Sequence, residues 1–223
     1  MTQLLAAIGV AAALASAEAP RVRFTINDQW RYAPGTIEGA AAADFDDSGW
    51  QRINLPHTWN ATDVFDKTTP YRRGIGWYRK SLAIDPALRG KRLFLYFEGA
   101  NQVADVFVNG RHAGQHIGGY TAFVFEITDS VQYDRPNIVA VRVDNSHNPD
   151  IPPLNADFTF YGGIYRDVWL LATSQIHIAV THSASPGIFI TTEPRGTVRI
   201  AGTIANQSQQ AAHVRVISSV IDA

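Results

Sequence analysis

The 223-residue sequence contains no cysteine. Disulfides, thiolate metal sites and a cysteine nucleophile are therefore excluded. Export is not excluded, because a large β-domain holds together without cross-links. Charge is balanced: 19 Lys and Arg stand against 20 Asp and Glu, and no long basic run occurs. Nothing in that balance favours a nucleic-acid partner or an anionic membrane surface. Past residue 20 no stretch keeps a 3.6-residue apolar period for three turns, so no long amphipathic helix is predicted. A G-x-S-x-G elbow is also missing, which removes the usual support for a serine nucleophile.

What is present is an ordinary globular composition, 46% hydrophobic and 17% charged, which argues against disorder. Leu4 to Leu14 is an Ala-rich apolar run, too short to span a bilayer as a helix. Ala15-Ser16-Ala17 follows it, an A-x-A pattern ahead of Glu18. Residues 1–17 are therefore expected to be a secretory signal peptide, and the protein periplasmic or secreted. No Lys or Arg precedes the run, and a buried N-terminal helix is the alternative.

From about Val22 the texture is β. Arg92 to Glu98, Val103 to Val108, Ile138 to Val143 and Asp167 to Leu171 are short aliphatic and aromatic runs. Asn109-Gly110 closes the second run and predicts a hairpin, since both turn residues accept positive φ. The spacing predicts an all-β sandwich or jelly roll. Two long irregular segments interrupt it, Pro56 to Gly76 and Asn145 to Gly163, the second carrying Pro149, Pro152 and Pro153. Between them they carry Trp, Tyr, Phe, Asp and Arg, a composition suited to a binding site on a rigid sandwich. After Ala172-Thr173-Ser174, strands are expected at Ile176 to Val180, Thr197 to Ile204 and Val214 to Ile221. This tail of about fifty residues is too short for a complete immunoglobulin-like sandwich of roughly 100 residues.

Several strings then occur in a telling order. They are Asp46-Asp47-Ser48-Gly49-Trp50, Leu55-Pro56-His57-Thr58-Trp59, Gly76-Trp77-Tyr78-Arg79-Lys80 and Phe97-Glu98-Gly99-Ala100. Val108-Asn109-Gly110 and Tyr161-Gly162-Gly163-Ile164-Tyr165-Arg166-Asp167-Val168 follow. Together they resemble the N-terminal domain of glycoside hydrolase family 2. The resemblance covers roughly residues 23 to 173. It implies a jelly-roll sugar-binding domain over 23–173 and a truncated immunoglobulin-like domain over 175–223. It also implies a catalytic TIM barrel elsewhere in the same polypeptide, with two glutamates and retention of configuration. The expected substrate is a β-galactoside or related β-glycoside, and the complete enzyme is a candidate homo-oligomer. No cofactor is expected in this chain; sodium or magnesium is implied for the complete enzyme.

Retention needs two carboxylates about 5 Å apart. Glu18, Glu38, Glu98 and Glu193 lie at the cleavage site, in a leading loop and at strand or turn edges, so none is assigned catalysis. Asp46 and Asp47 read as turn carboxylates. His112 and His116 have the spacing of two ligands on a helix, but the Asn109-Gly110 turn and Gly114 put them in a hairpin. His57 reads as a structural hydrogen-bonding residue, and Arg166 and Asp167 as an ion pair or as partners of loop carbonyls. Trp77, Tyr78 and Trp169 are expected in the sandwich core.

Asp157 stands apart, before Phe158-Thr159-Phe160 in the proline-bounded loop. Such a carboxylate accepts hydrogen bonds from adjacent sugar hydroxyls beside an aromatic platform. By resemblance, its place six residues before Gly163 implies a substrate contact and a possible sodium contact. Asn155 is a second candidate, with turn formation as its alternative. Arg72 and Arg73 stand near where family β-galactosidases have a sugar-contacting asparagine. They would suit an acidic or extended sugar, or a carboxylate of the barrel. Two other roles remain open: a free-standing carbohydrate-binding module, and a structural domain that buttresses a barrel.

Overall fold

The computed structural model describes residues 21–66, 70–194 and 196–219; the predicted signal segment lies outside them. The first strands in chain order are β1 (Arg21–Thr25), β2 (Trp30–Pro34), β3 (Gln51–Ile53), β4 (Ile75–Leu82) and β5 (Arg92–Phe97). They are followed by β6 (Val103–Val108), β7 (Arg111–Ile117), β8 (Phe123–Glu126), β9 (Asn137–Asp144) and β10 (Val168–Thr173). Two antiparallel sheets result, one in the order β3-β2-β4-β9-β6-β7 and the other β1-β10-β5-β8. The chain is all-β, a jelly-roll sandwich as expected.

Strict alternation explains the core. Val139, Val141 and Val143 of β9, and Ala104, Val106 and Val108 of β6, point inward from the six-stranded sheet. Leu93, Leu95 and Phe97 of β5 meet them from the other sheet, with Val168, Leu170 and Ala172 of β10. Each such buried side chain contributes about 1.5–3 kcal/mol relative to exposure. The same alternation turns Trp77 to the outer face, where it packs with Ala140 and Phe107. Trp169 also lies outside the core, on the outer face with Arg23 stacked 4.4 Å over its ring. Of the three aromatics expected in the main core, only Tyr78 is there, because Trp77 and Trp169 sit at odd register to their inward neighbours.

The Asn-Gly turn forms as expected, with φ of 52° at Asn109 and 81° at Gly110, joining β6 to β7. Arg79 is 1% exposed on the outer face of β4. Its guanidinium bonds Asp47 at 2.8 Å and the Ala42 carbonyl at 2.9 Å, which clamps the 40–47 loop to the sheet.

Beyond β10 lie β11 (Ile176–Ile178), β12 (Ile188–Glu193), β13 (Thr197–Gly202) and β14 (Ile204–Asn206). β11 pairs with β14 and β12 with β13. Val180 anchors this tail against Phe94 and Leu171. Of the strand expected over Val214 to Ile221, residues 214–219 form none and the last two lie outside the described residues; an alternating pattern without a neighbour to pair with does not make a ladder.

Candidate functional site

The two long irregular segments meet at one end of the sandwich. What holds them is a set of buried amides. Asn145 takes a hydrogen bond from Gly74 N at 2.8 Å and gives one to the Phe160 carbonyl at 3.0 Å. Asn60 donates to the Arg72 carbonyl at 2.8 Å and accepts from Gly162 N at 2.7 Å. Asn101 donates to the Tyr161 carbonyl at 2.7 Å. The Thr58 hydroxyl donates to the Gly162 carbonyl at 2.8 Å. Residues 160–162 thus have side-chain partners on three separate segments. An irregular backbone can be buried only when its polar groups are paired in this way.

Gly162 and Gly163 are demanded by space. A Cβ at Gly162 would fall 2.1 Å from the Trp59 ring. Gly163 has φ of +121°, and a Cβ there would fall 2.5 Å from the Tyr78 hydroxyl. This close packing fixes the turn that follows the aromatic stretch.

On this frame sits an aromatic cluster. Phe158 meets Tyr120 edge-on at 6.3 Å and Phe160 at 5.3 Å. The Arg73 guanidinium lies over Phe160 at 5.1 Å. The Tyr71 hydroxyl accepts from Phe160 N at 3.5 Å, and the Tyr165 hydroxyl donates to the Gly119 carbonyl. Phe158, Tyr120, Tyr161 and Leu154 are all exposed. Burial raises the Tyr120 phenol above its ordinary range, as do the neighbouring Tyr165 and Tyr71, against a lowering pull from Arg73.

Asp157 is exposed next to Phe158, and its carboxylate has no partner among the described residues. Asn155 is exposed two residues earlier, also without a side-chain partner among them. The two arginines separate. Arg72 is committed to the fold: Nη1 donates to the Tyr32 hydroxyl at 3.0 Å, Nη2 to the Ile75 carbonyl, and its plane lies 4.8 Å over Trp59. Arg73 spends only Nε, on the Asn145 carbonyl at 2.7 Å.

The remaining candidates have structural partners. His57 Nδ1 lies 2.9 Å from the Tyr78 hydroxyl, and burial lowers its pKa. Asp46 accepts from Ser48 N at 2.9 Å, closing a turn. His112 lies beside Asp105, and His116 stacks on Phe123 at 4.4 Å. Among the described residues no group of three His, Asp or Glu could hold a metal ion. Among the described residues, Arg166 and Asp167 do not pair with each other, nor with loop carbonyls through their side chains. Arg166 lies over Tyr165, and Asp167 accepts from Asn27 at 3.0 Å, because the strand start turns the two side chains apart. Glu126, not weighed in the sequence, pairs with Arg92. Glu98 accepts from the Trp169 indole at 2.9 Å.

Asn60, Asn101 and Asn145 escaped the sequence reading, since a lone loop asparagine reads as a turn former. The available signal was their place at the ends of the two long segments and at the close of the β5 motif.

A two-sheet β-sandwich with an aromatic loop cluster at one end has the build of a domain that carries a binding site on its loops. The family model for "Glycosyl hydrolases family 2, sugar binding domain" matches residues 24–174, and the chain belongs to that family. It is 54% identical over 143 residues to a β-glucuronidase of Bacteroides fragilis, covering 64% of this chain and 21% of that protein. It is 34% identical over 215 residues to a β-galactosidase of Bacteroides ovatus, covering 92% of this chain and 24% of the relative. Among solved structures, a β-glucuronidase of Bacteroides uniformis bound covalently to cyclophellitol-6-carboxylate aziridine superimposes with TM-score 0.80 at 43% identity. That match covers 84% of this chain and 23% of the other. The chain thus spans about a quarter of the length of these relatives.

Proposed function

We propose that this chain is the N-terminal, substrate-shaping part of a retaining β-glycosidase that acts on β-galactosides or related β-glycosides, β-glucuronides included. The catalytic carboxylates belong to a barrel in the rest of the polypeptide. Relatives named β-glucuronidase and β-galactosidase support this reading. The observation that carries it is the aromatic cluster beside Asp157, which is unpartnered among the described residues, on a loop backbone held by buried asparagine amides. A carboxylate without a partner among the described residues is free to accept sugar hydroxyls, and the flat rings offer the apolar surface a sugar's C–H face prefers. Asn155 is close enough in sequence to assist. The N-terminal apolar run with Ala15-Ser16-Ala17 supports export to the periplasm or beyond. Sodium or magnesium would act in the complete enzyme, with Asp157 as one sodium contact.

The test is Asp157→Ala in the complete enzyme. Hydrogen bonds to charged groups are worth about 1.5–3 kcal/mol, so kcat/KM is expected to fall about 10- to 100-fold. The melting temperature should stay put, because the side chain holds no partner among the described residues. Normal turnover in the variant would instead favour a purely structural role.

A further inference from the structure

Three arginines stand side by side on the outer face of the six-stranded sheet: Arg31 of β2 is directly opposite Arg52 of β3 on one side and Arg79 of β4 on the other. Side chains alternate along a strand, so residues two positions along share that face. These are Asn54, Gln29 and Ser81. The Gln29 N–H donates to the Asn54 side chain at 2.9 Å, which holds this second row in register. The two rows line a hollow of about 650 Å³.

Like charges directly across a ladder repel. Asp47 offsets one of the two contacts: its carboxylate lies 2.8 Å from Arg79 Nε and 3.4 Å from Arg31 Nε. Arg79 spends its other nitrogens on the Ala40, Ala42 and Phe45 carbonyls, and Arg31 Nη1 donates to the Asp47 carbonyl at 2.8 Å. The contact between Arg31 and Arg52 has no such offset. Arg52 is exposed and has no partner among the described residues. Asp46, whose carboxyl also feels Arg31, is turned onto Ser48 N at 2.9 Å.

The hollow is therefore rich in donors and short of acceptors. Arg52 keeps all five N–H groups of its fork. Arg31 Nη2, the Asn54 amide and the Ser81 hydroxyl also have no partner among the described residues. A neutral polyol donates as often as it accepts, and Asp47 has both oxygens occupied. An oxyanion only accepts. Directly opposite residues have Cβ atoms about 4.5–5.5 Å apart, so the forks of Arg31 and Arg52 reach one group from two strands. Donors that converge from separate strands suit a tetrahedral group, and guanidinium is the side chain best matched to it.

We propose that Arg52 and Arg31, with Asn54 and Ser81 beside them, form a binding site for a tetrahedral oxyanion, phosphate or sulfate, either free or as the ester of a larger molecule. The site stands on the sheet face and does not rest on the reading of the loop cluster.

The test is calorimetric titration of the complete enzyme, wild type, Arg52→Gln and Arg52→Lys. The probes are glucose 6-phosphate, glucose 6-sulfate, inorganic phosphate and inorganic sulfate, with glucose as the neutral control. Arg52→Gln is expected to weaken oxyanion binding about 10- to 100-fold, and Arg52→Lys to weaken it less, since it keeps the charge and loses the fork. Esters that bind more tightly than the inorganic ions would identify the ester as the ligand; equal affinity would identify the free ion. Without ligand, the melting temperature of Arg52→Gln should hold or rise, because a like charge beside Arg31 is gone. A fall of several degrees would assign Arg52 to an ion pair with the rest of the polypeptide and overturn the proposal. Absence of heat with every oxyanion, equal heat from glucose, or binding that survives Arg52→Gln unchanged would each overturn it as well. None of these outcomes touches the glycosidase reading, which the Asp157→Ala variant tests separately.

Discussion

At Gly163 one missing methyl group decides whether the site loop can close. The residue needs φ of +121°, and a side chain there would press on the Tyr78 hydroxyl at 2.5 Å and the His57 carbonyl at 2.6 Å. Both neighbours are held, since His57 N donates to the Ile164 carbonyl at 2.8 Å and Tyr78 is fully buried. Strained φ and overpacking each cost about 1–3 kcal/mol, so Gly163→Ala is expected to lose about 2–5 kcal/mol in urea denaturation. A loss under about 1 kcal/mol would mean that the turn slides aside. The importance of this glycine was legible in the string Tyr161-Gly162-Gly163. The reason for it was not, because Tyr78 and His57 come from segments some hundred residues away. That Asp157 lies exposed was legible from its place in the proline-bounded loop. The split between Arg72 and Arg73 was not, because adjacent identical residues differ only in what the fold puts beside them.

The elements divide between those that carry their own instructions and those that borrow them. The β6–β7 hairpin is of the first kind: an Asn-Gly pair with positive φ and inward Val106 and Val108 specify it locally. The 145–163 segment is of the second kind. It has no ladder of its own and is tied down by Asn60, Asn101 and Asn145. Removing one amide strands its partners. In Asn145→Ala, Gly74 N and the Phe160 carbonyl each lose a buried hydrogen bond, at about 1–3 kcal/mol apiece. The cost should appear locally, as faster amide hydrogen exchange at residues 160–163 while β5 and β9 stay protected. Exchange that rises equally through β5 and β9 would mean that the loop and the sandwich unfold together. The missing strand beyond Val214 follows the same division. Its alternating residues state which face is apolar but supply no neighbour, and at 71% exposure Ile217 has found none.

Taken whole, the molecule pairs a well-filled sandwich with a tail that is joined to it mainly near Val180, Arg21 and Gln207. The junction contains His177, which bonds the Ser174 carbonyl at 2.9 Å and meets Phe94 edge-on. His57 lies beneath the site loops and His116 on the β7 edge, so three histidines sample three distant places. Burial lowers the pKa of each below the ordinary 6.5. A lowered folded pKa keeps these rings neutral in the native state, while the unfolded chain takes up protons as pH falls past 6.5. Their contribution is therefore intact above pH 6.5 and is lost progressively below it. All three rings are only partly buried, so solvent screening limits the size of the effect. The carboxylates act lower: for Asp144, burial by itself would raise the pKa, but Ser146 and Arg142 outweigh it, and the net shift is below 3.8. The urea midpoint should consequently fall between pH 7 and pH 5, before any paired carboxylate titrates. His116→Phe, which keeps the stack on Phe123 and removes the titrating ring, should flatten part of that slope. A midpoint that stays level from pH 7 to pH 5 would show that these rings titrate alike in the folded and unfolded chains, and that the packing around them does not exclude the charged form.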